Sequence, residues 1–153
     1  QHYNKIIDYI SLAKKQSVNI LSGGNSIILD GRCKGGWFIE PTIIEGLSNI
    51  DKINREEIFG PIVTLQKFSN EQEVINLANE TDYGLSATIW SQDKVKANRI
   101  ADQIDAGIIW INSWLIRDLR TPFGGMKESG LGREGGEYAL QFFTETKNIC
   151  SLQ

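Results

Sequence analysis

Between residues 62 and 112 the chain alternates short apolar, β-prone runs with stretches of helical periodicity, and that alternation restricts it to the α/β class. Ile62 to Phe68 reads as a strand. A helix follows Ser69, with Glu73 placed as a capping partner, and Leu85 to Trp90 reads as the next strand. Ser91 is set to cap a second helix whose buried stripe is Val95, Ile100, Ala101 and Ile104. Gly107 ends it before a strand from Ile108 to Asn112. Strands separated by helices of this length require crossover connections, so the sheet is expected to be parallel.

The segments on either side are of other kinds. Tyr3, Ile6, Ile7, Ile10 and Ala13 or Lys14 recur at the three-to-four-residue spacing of one apolar helix face. No capping side chain precedes that helix, which leads us to expect a chain continued from a longer one, terminal fraying being the alternative. Gly23, Gly24, Gly31, Gly35 and Gly36 punctuate short β-prone pieces that end at Trp37, Phe38, Ile39 and Pro41, a surface hairpin region. Ser113 to Gly136 is rich in glycine and charge and poor in periodicity, and loops of that size in compact domains are usually functional. A short helix around Tyr138 to Phe143 and a β-prone piece from Asn148 to Leu152 follow.

Composition narrows the function. With 41% hydrophobic and 23% charged residues in 153, the chain has the make-up of a globular domain. Its 16 basic and 19 acidic residues supply no broad positive field, so nucleic acid is not expected as a partner. The longest aliphatic and aromatic run, Ile108 to Ile111, is far shorter than the roughly twenty residues a membrane helix needs. Cys33 and Cys150 lie far apart and fit a reducing compartment, so a cytoplasmic location is expected. The single histidine, His2, has no Cys or His neighbour at ligand spacing, which removes a zinc site and a Ser/His triad from consideration.

Two stretches carry chemistry. In REEIFGP, residues 55 to 61, Glu57 and Phe59 are two apart, so an extended backbone turns both to one side. A carboxylate that accepts from paired hydroxyls beside a flat apolar face suits a ribose and its ring. Taken alone, the stretch reads more readily as a solvated acidic pair with a core Phe. The second stretch is TPFGG at 121 to 125 with MKESGLGRE at 126 to 134, whose glycines let the backbone approach a ligand closely. SGLGRE lacks the GK[ST] ending of a phosphate loop and follows no strand directly.

Taken in order, GGWFIEPTI at 35 to 43, EEIFGP at 56 to 61, YGLSATIW at 83 to 90, AGIIWIN at 106 to 112 and TPFGGMKESGLGRE at 121 to 134 resemble the C-terminal third of an NAD(P)-dependent aldehyde dehydrogenase. The resemblance covers essentially the whole chain. It implies that residues 1–143 are part of a catalytic domain and 144–153 a tail strand that adds to a neighbouring subunit's sheet in dimers or tetramers. It also implies that Glu57 holds the nicotinamide ribose hydroxyls, that Phe59 packs near the nicotinamide, and that Asn112, Trp114 and Phe123 lie near the aldehyde channel. Glu134 corresponds to the family's buried glutamate, either a proton-relay group or a structural ion-pair partner.

WLIRDLRTPFGG at 114 to 125 resembles the matching stretch of the 2-aminomuconate and 2-hydroxymuconate semialdehyde dehydrogenases. Such substrates carry a carboxylate away from the reacting carbonyl, and a guanidinium is its planar partner. Arg117, nearer Trp114 in sequence, is favoured over Arg120 as the carboxylate reader; the alternative is a surface ion pair with Asp118. The resemblance assigns the nucleophilic cysteine, the glutamate that activates water and the dinucleotide domain to upstream chain. Cys33, in GRCKGG, reads as a loop thiol, and Cys150 as a small packing residue. The implied activity is oxidation of a semialdehyde with NAD as acceptor, NADP not excluded, and the isolated segment is expected to be inactive. An uncharged substrate such as betaine aldehyde, or a non-catalytic interaction module, are the other readings.

Overall fold

A computed structural model describes residues 1–152. The chain divides into two compact units, Gln1–Ser69 and a second that begins at Asn70.

The first unit opens with α1 (His2–Lys15), whose buried residues Ile6, Tyr9, Ile10 and Ala13 follow the helical stripe. Gln1 stands before it without a side-chain cap. Next come β1 (Asn19–Ser22), β2 (Ser26–Ile27), a 3-10 turn at Gly31–Cys33, β3 (Phe38–Ile39) and β4 (Thr42–Glu45). The expected hairpin region is present as the antiparallel pair β2 and β3. After α2 (Lys52–Arg55), β5 (Ile62–Leu65) completes a three-stranded sheet in the order β1-β4-β5, with β4 and β5 parallel. Its Ile44 joins Ile6, Tyr9, Ile10, Ala13, Leu47, Ile53 and Ile58 in one buried cluster. Thr42 is the polar residue buried in this unit, and its hydroxyl is satisfied twice, accepting from Gly24 N and donating to Glu40 O.

In the second unit, α3 (Glu71–Asn79), β6 (Tyr83–Gly84), β7 (Ser86–Ile89), α4 (Lys94–Ala101), β8 (Ile108–Ile111), β9 (Met126–Lys127) and α5 (Gly136–Phe143) follow in order. β7 and β8 pair in parallel, and β6 pairs antiparallel with β9. Of the three strands in the expected alternation, β7 and β8 pair in parallel, whereas β5 does not join them and pairs with β4 instead, so a single parallel sheet through all three is not formed.

Several boundaries differ from expectation, each for a physical reason. β5 stops at Leu65 rather than Phe68 because its partner ends at Glu45, and Gly46, with φ 96°, turns that chain away. β8 stops before Asn112, whose φ is 50°. The α3 cap is Asn70, not Ser69; its side chain accepts from Glu73 N. Asp93 rather than Ser91 caps α4, accepting from Lys96 N, while the Ser91 hydroxyl accepts from Asp93 N. This start sets the stripe at Ala97, Ile100, Ala101 and Ile104, leaving Val95 75% exposed. Residues 144–152 carry no helix or strand, so the tail strand is not formed within the chain, and Gln153 lies outside the described residues. Among the described residues, no helix is long and apolar enough to cross a membrane.

Candidate functional site

In the first unit, the loop after α2 is anchored from beneath. Ile58 is buried in the core, whereas Glu57 and Phe59 on either side of it are exposed, Phe59 by 76%. Phe59 is therefore not the core residue that the motif alone favours. Nor is the segment a regular extended strand, because Phe59 has φ 59°, an uncommon value for a bulky residue. What opens the two side chains to solvent is the inward turn of Ile58 between them.

One face of α1 braces this loop. His2 Nε2 donates to Phe59 O at 2.7 Å, Lys5 Nζ donates to Glu57 O at 3.0 Å, and Tyr9 OH donates to the Glu56 carboxylate. Lys52 Nζ lies 3.7 Å from the same carboxylate. Gly60 allows the close approach, since a Cβ there would lie 2.6 Å from Ile6 Cδ1. Sequence reasoning missed this brace; its one trace was the spacing of positions 2, 5 and 9 on one helix face. The Glu57 side chain remains exposed, so its oxygens are open to a ligand's hydroxyl groups. A cleft of about 560 Å³ in this unit is lined by His2, Tyr3, Trp37 and Pro61 among others, and not by Glu57 or Phe59.

In the second unit, Asn112 turns the chain out of β8. Its amide donates to Ser91 O at 2.7 Å and its oxygen accepts from Ser91 N at 2.8 Å, which joins the ends of β7 and β8. A cleft of about 490 Å³ lined by Trp90, Ser91, Gln92, Lys94 and Asn112 opens beside it. Trp110 Nε1 donates to Ile116 O and tethers the following loop, in which Trp114 is exposed. Arg133 Nη1 donates to Gly125 O at 2.7 Å and steadies the TPFGG turn.

The two arginines are held differently. Arg120 grips Asp118 with two nitrogens, Nε to Oδ1 at 2.9 Å and Nη2 to Oδ2 at 2.6 Å. That contact holds the Asp118 carboxyl below the usual aspartate range and raises the arginine. This is the surface ion pair kept as an alternative above. Arg117 instead lies over the Phe123 ring, 4.0 Å from its centroid, and gives one nitrogen, Nη2, to Glu134 Oε1 at 2.7 Å. Phe123 and Glu134 face each other across an antiparallel bridge, with backbone bonds of 2.8 and 2.7 Å. Glu134 is exposed here rather than buried. Both cysteines are free, Cys33 half-buried and Cys150 exposed. No group of three or more His, Cys, Asp or Glu residues suited to a metal is found among the described residues.

The aldehyde dehydrogenase family model matches residues 1–149, and the chain belongs to that family. It is 45% identical over 150 residues to the 2-hydroxymuconic semialdehyde dehydrogenase of Pseudomonas sp. (strain CF600), covering 98% of this chain and 31% of that protein. It is 44% identical over 151 residues to the 2-aminomuconic semialdehyde dehydrogenase of Danio rerio, covering 97% and 31%. Among solved structures, an indole-3-acetaldehyde dehydrogenase of P. syringae in complex with NAD+ and IAA superposes with a TM-score of 0.89 at 37% identity, covering 96% of this chain and 29% of that one. A betaine aldehyde dehydrogenase of Staphylococcus aureus in complex with NAD+ gives 0.87 at 41% identity, covering 93% and 28%. The chain thus spans about a third of the length of the curated relatives it matches.

Proposed function

We propose that this chain is the C-terminal segment of an NAD(P)-dependent aldehyde dehydrogenase that oxidises a carboxylate-bearing semialdehyde to the acid. The observation that carries the substrate class is Arg117, an exposed guanidinium spread on an aromatic ring within the 114–125 stretch that resembles the muconic semialdehyde enzymes, one of which is 45% identical to the chain. A planar fork with free N–H groups suits a remote carboxylate. Arg120 serves less well, because Asp118 already takes two of its nitrogens.

Glu57 and Phe59 fit the cofactor's nicotinamide half. The exposed carboxylate accepts from ribose hydroxyls, and the exposed ring offers an apolar face. When bound, the nicotinamide supplies hydride acceptance. Trp114 and Phe123 wall the aldehyde channel and exclude water, and Asn112 fixes the point at which the chain leaves the sheet. Glu134 serves as a proton-relay group or an ion-pair partner; its bond to Arg117 supports the second role. The nucleophilic cysteine that forms the thioester belongs to upstream chain, so the segment alone does no chemistry. Residues 144–153 form the tail that pairs with a neighbouring subunit, giving a homodimer or homotetramer.

Two kinetic comparisons test the reading. Arg117→Met in the full-length enzyme is expected to raise KM for the semialdehyde by about ten-fold or more while leaving a neutral aldehyde little changed, because the lost interaction is binding of a remote group. An equal effect on both substrates points to an uncharged aldehyde instead. The isolated segment is expected to form no NADH with any aldehyde, and turnover by it overturns the assignment of the nucleophile to upstream chain.

A further inference from the structure

We infer that Glu134 is a specificity-determining positioning residue that holds Arg117 in the orientation that reads the substrate carboxylate. The inference rests on the reading of Arg117 proposed above. Phe123 and Glu134 are directly opposite on an antiparallel bridge, and opposed residues on such a pair project to the same side. Ring and carboxylate thus form one platform, fixed by two backbone bonds of 2.8 and 2.7 Å. Arg117 reaches it from a loop without regular structure, placing its guanidinium 4.0 Å from the ring centroid and bonding through Nη2 to Glu134. The ring covers a face and Glu134 accepts one of the two Nη2 hydrogens, so the second, paired with Nη1 or with Nε, leaves one fork for an incoming carboxylate.

The physical gain is pre-organisation. A free arginine side chain samples many rotamers, and it surrenders that entropy when a ligand fixes it. Here the platform fixes it before substrate arrives, so less is lost on binding. Glu134 also carries a charge of the same sign as the substrate's. Its removal therefore strengthens the arginine's field while loosening its geometry, and the inference is that geometry wins.

The test compares Glu134→Ala, Glu134→Gln and Arg117→Met in the full-length enzyme, reading KM for a carboxylate-bearing semialdehyde against KM for a neutral aldehyde. Glu134→Ala is expected to raise that ratio by about five- to ten-fold, and Glu134→Gln, which keeps the accepting oxygen, to restore most of it. Combining Glu134→Ala with Arg117→Met is expected to change the ratio no further than Arg117→Met alone. A ratio that falls in Glu134→Ala shows that Glu134 competes with the substrate and overturns the inference; so does an unchanged ratio in an enzyme that Arg117→Met still impairs. If Arg117→Met itself leaves the ratio unchanged, the substrate reading has failed, and the inference with it. Circular dichroism at each variant's assay temperature separates misfolding from a kinetic effect, and should Glu134→Ala not fold, the departure of Glu134→Asp from the ratio of the unaltered enzyme decides.

Discussion

The two units fix their loops by different physics. In Gln1–Ser69, eight buried residues form one cluster, and Ile58 of the 56–60 loop belongs to it. In the unit beginning at Asn70, the buried apolar side chains among the described residues are Ile75, Ala97 and Ala106, two of them too small to contribute much area. Its loop 112–125 is held by polar ties instead: Asn112 to Ser91, Trp110 to Ile116, Arg133 to Gly125, Arg117 to Glu134. Apolar burial has no charge to screen or titrate, whereas an ion pair such as Arg117 with Glu134 is weakened by salt. The 56–60 loop therefore has an apolar anchor in Ile58 beside its polar brace from α1, whereas the 112–125 loop depends on polar ties.

The largest effect expected from that contrast is at Ile44, which is fully buried. Ile44→Ala should cost about 4 kcal/mol in urea unfolding, from lost burial and the cavity left behind. Val95→Ala in the second unit, 75% exposed, should stay within about 0.5 kcal/mol. Equal costs at the two positions would abolish the contrast. Next is Gly107, where an added Cβ would stand 1.6 Å from Gly124 O, a backbone atom with little freedom to yield. Gly107→Ala should cost about 3 kcal/mol by forcing the TPFGG turn off the sheet, and in the full-length enzyme it should disturb aldehyde KM more than cofactor KM.

Lys127 sharpens the polar side of the comparison. Its Nζ donates to Asn79 O at 2.7 Å and Thr81 O at 3.1 Å, with Asp105 at 3.8 Å, which ties β9 to the end of α3. Lys127→Met keeps the stem but leaves those carbonyls unpaired, a loss of about 2 kcal/mol. Asn70→Ala, removing the α3 cap, should cost about 1 kcal/mol, read as a shift in the urea midpoint without a change in slope. A Lys127→Met protein as stable as the unaltered one would mean that the polar ties do not hold this unit.

What was legible in the sequence follows the same division. Apolar periodicity located α1 and its buried Ile6, Ile10 and Ala13, because a helix buries whatever its own spacing aligns. Strand ends were not legible, since β5 ends where β4 ends, and that depends on Gly46, nearly twenty residues before Leu65. Val95 has the size and spacing of a stripe residue yet stands exposed, because the buried stripe runs through the small Ala97. The motifs single out Glu57, Phe59, Arg117 and Glu134 as candidates, but carry no sign of the left-handed backbone at Phe59 or of the bond from Arg117 to Glu134. The α1 brace was likewise hidden, since contacts from side chains to a distant backbone leave only spacing in the sequence. Tertiary contacts between distant segments have no local signature, and the polar ties of the second unit are mostly of that kind.

The smallest effect tests whether those ties are electrostatic. Glu71 on α3 accepts from Arg99 Nη2 at 2.9 and 2.7 Å and lies 3.3 Å from Lys96 Nζ, linking α3 to α4. Hydrogen bonds from Arg99, then from Lys96, hold its carboxyl below the ordinary glutamate range. A carboxylate with a lowered folded-state pKa binds fewer protons folded than unfolded. Its contribution is complete above the ordinary value of about 4.3 and is lost as pH falls through the lower, folded value. Because the group is only half-buried and open to solvent on one side, the effect is small and screened by salt. Glu71→Gln should flatten the acid limb of the urea midpoint against pH, and amides of α3 and α4 should lose hydrogen-exchange protection in acid before those of α1. Were the acid limb of Glu71→Gln to match that of the unaltered protein, the ion pair would contribute nothing, and the second unit's order would have to come from its remaining ties, such as those of Lys127 and Asn112.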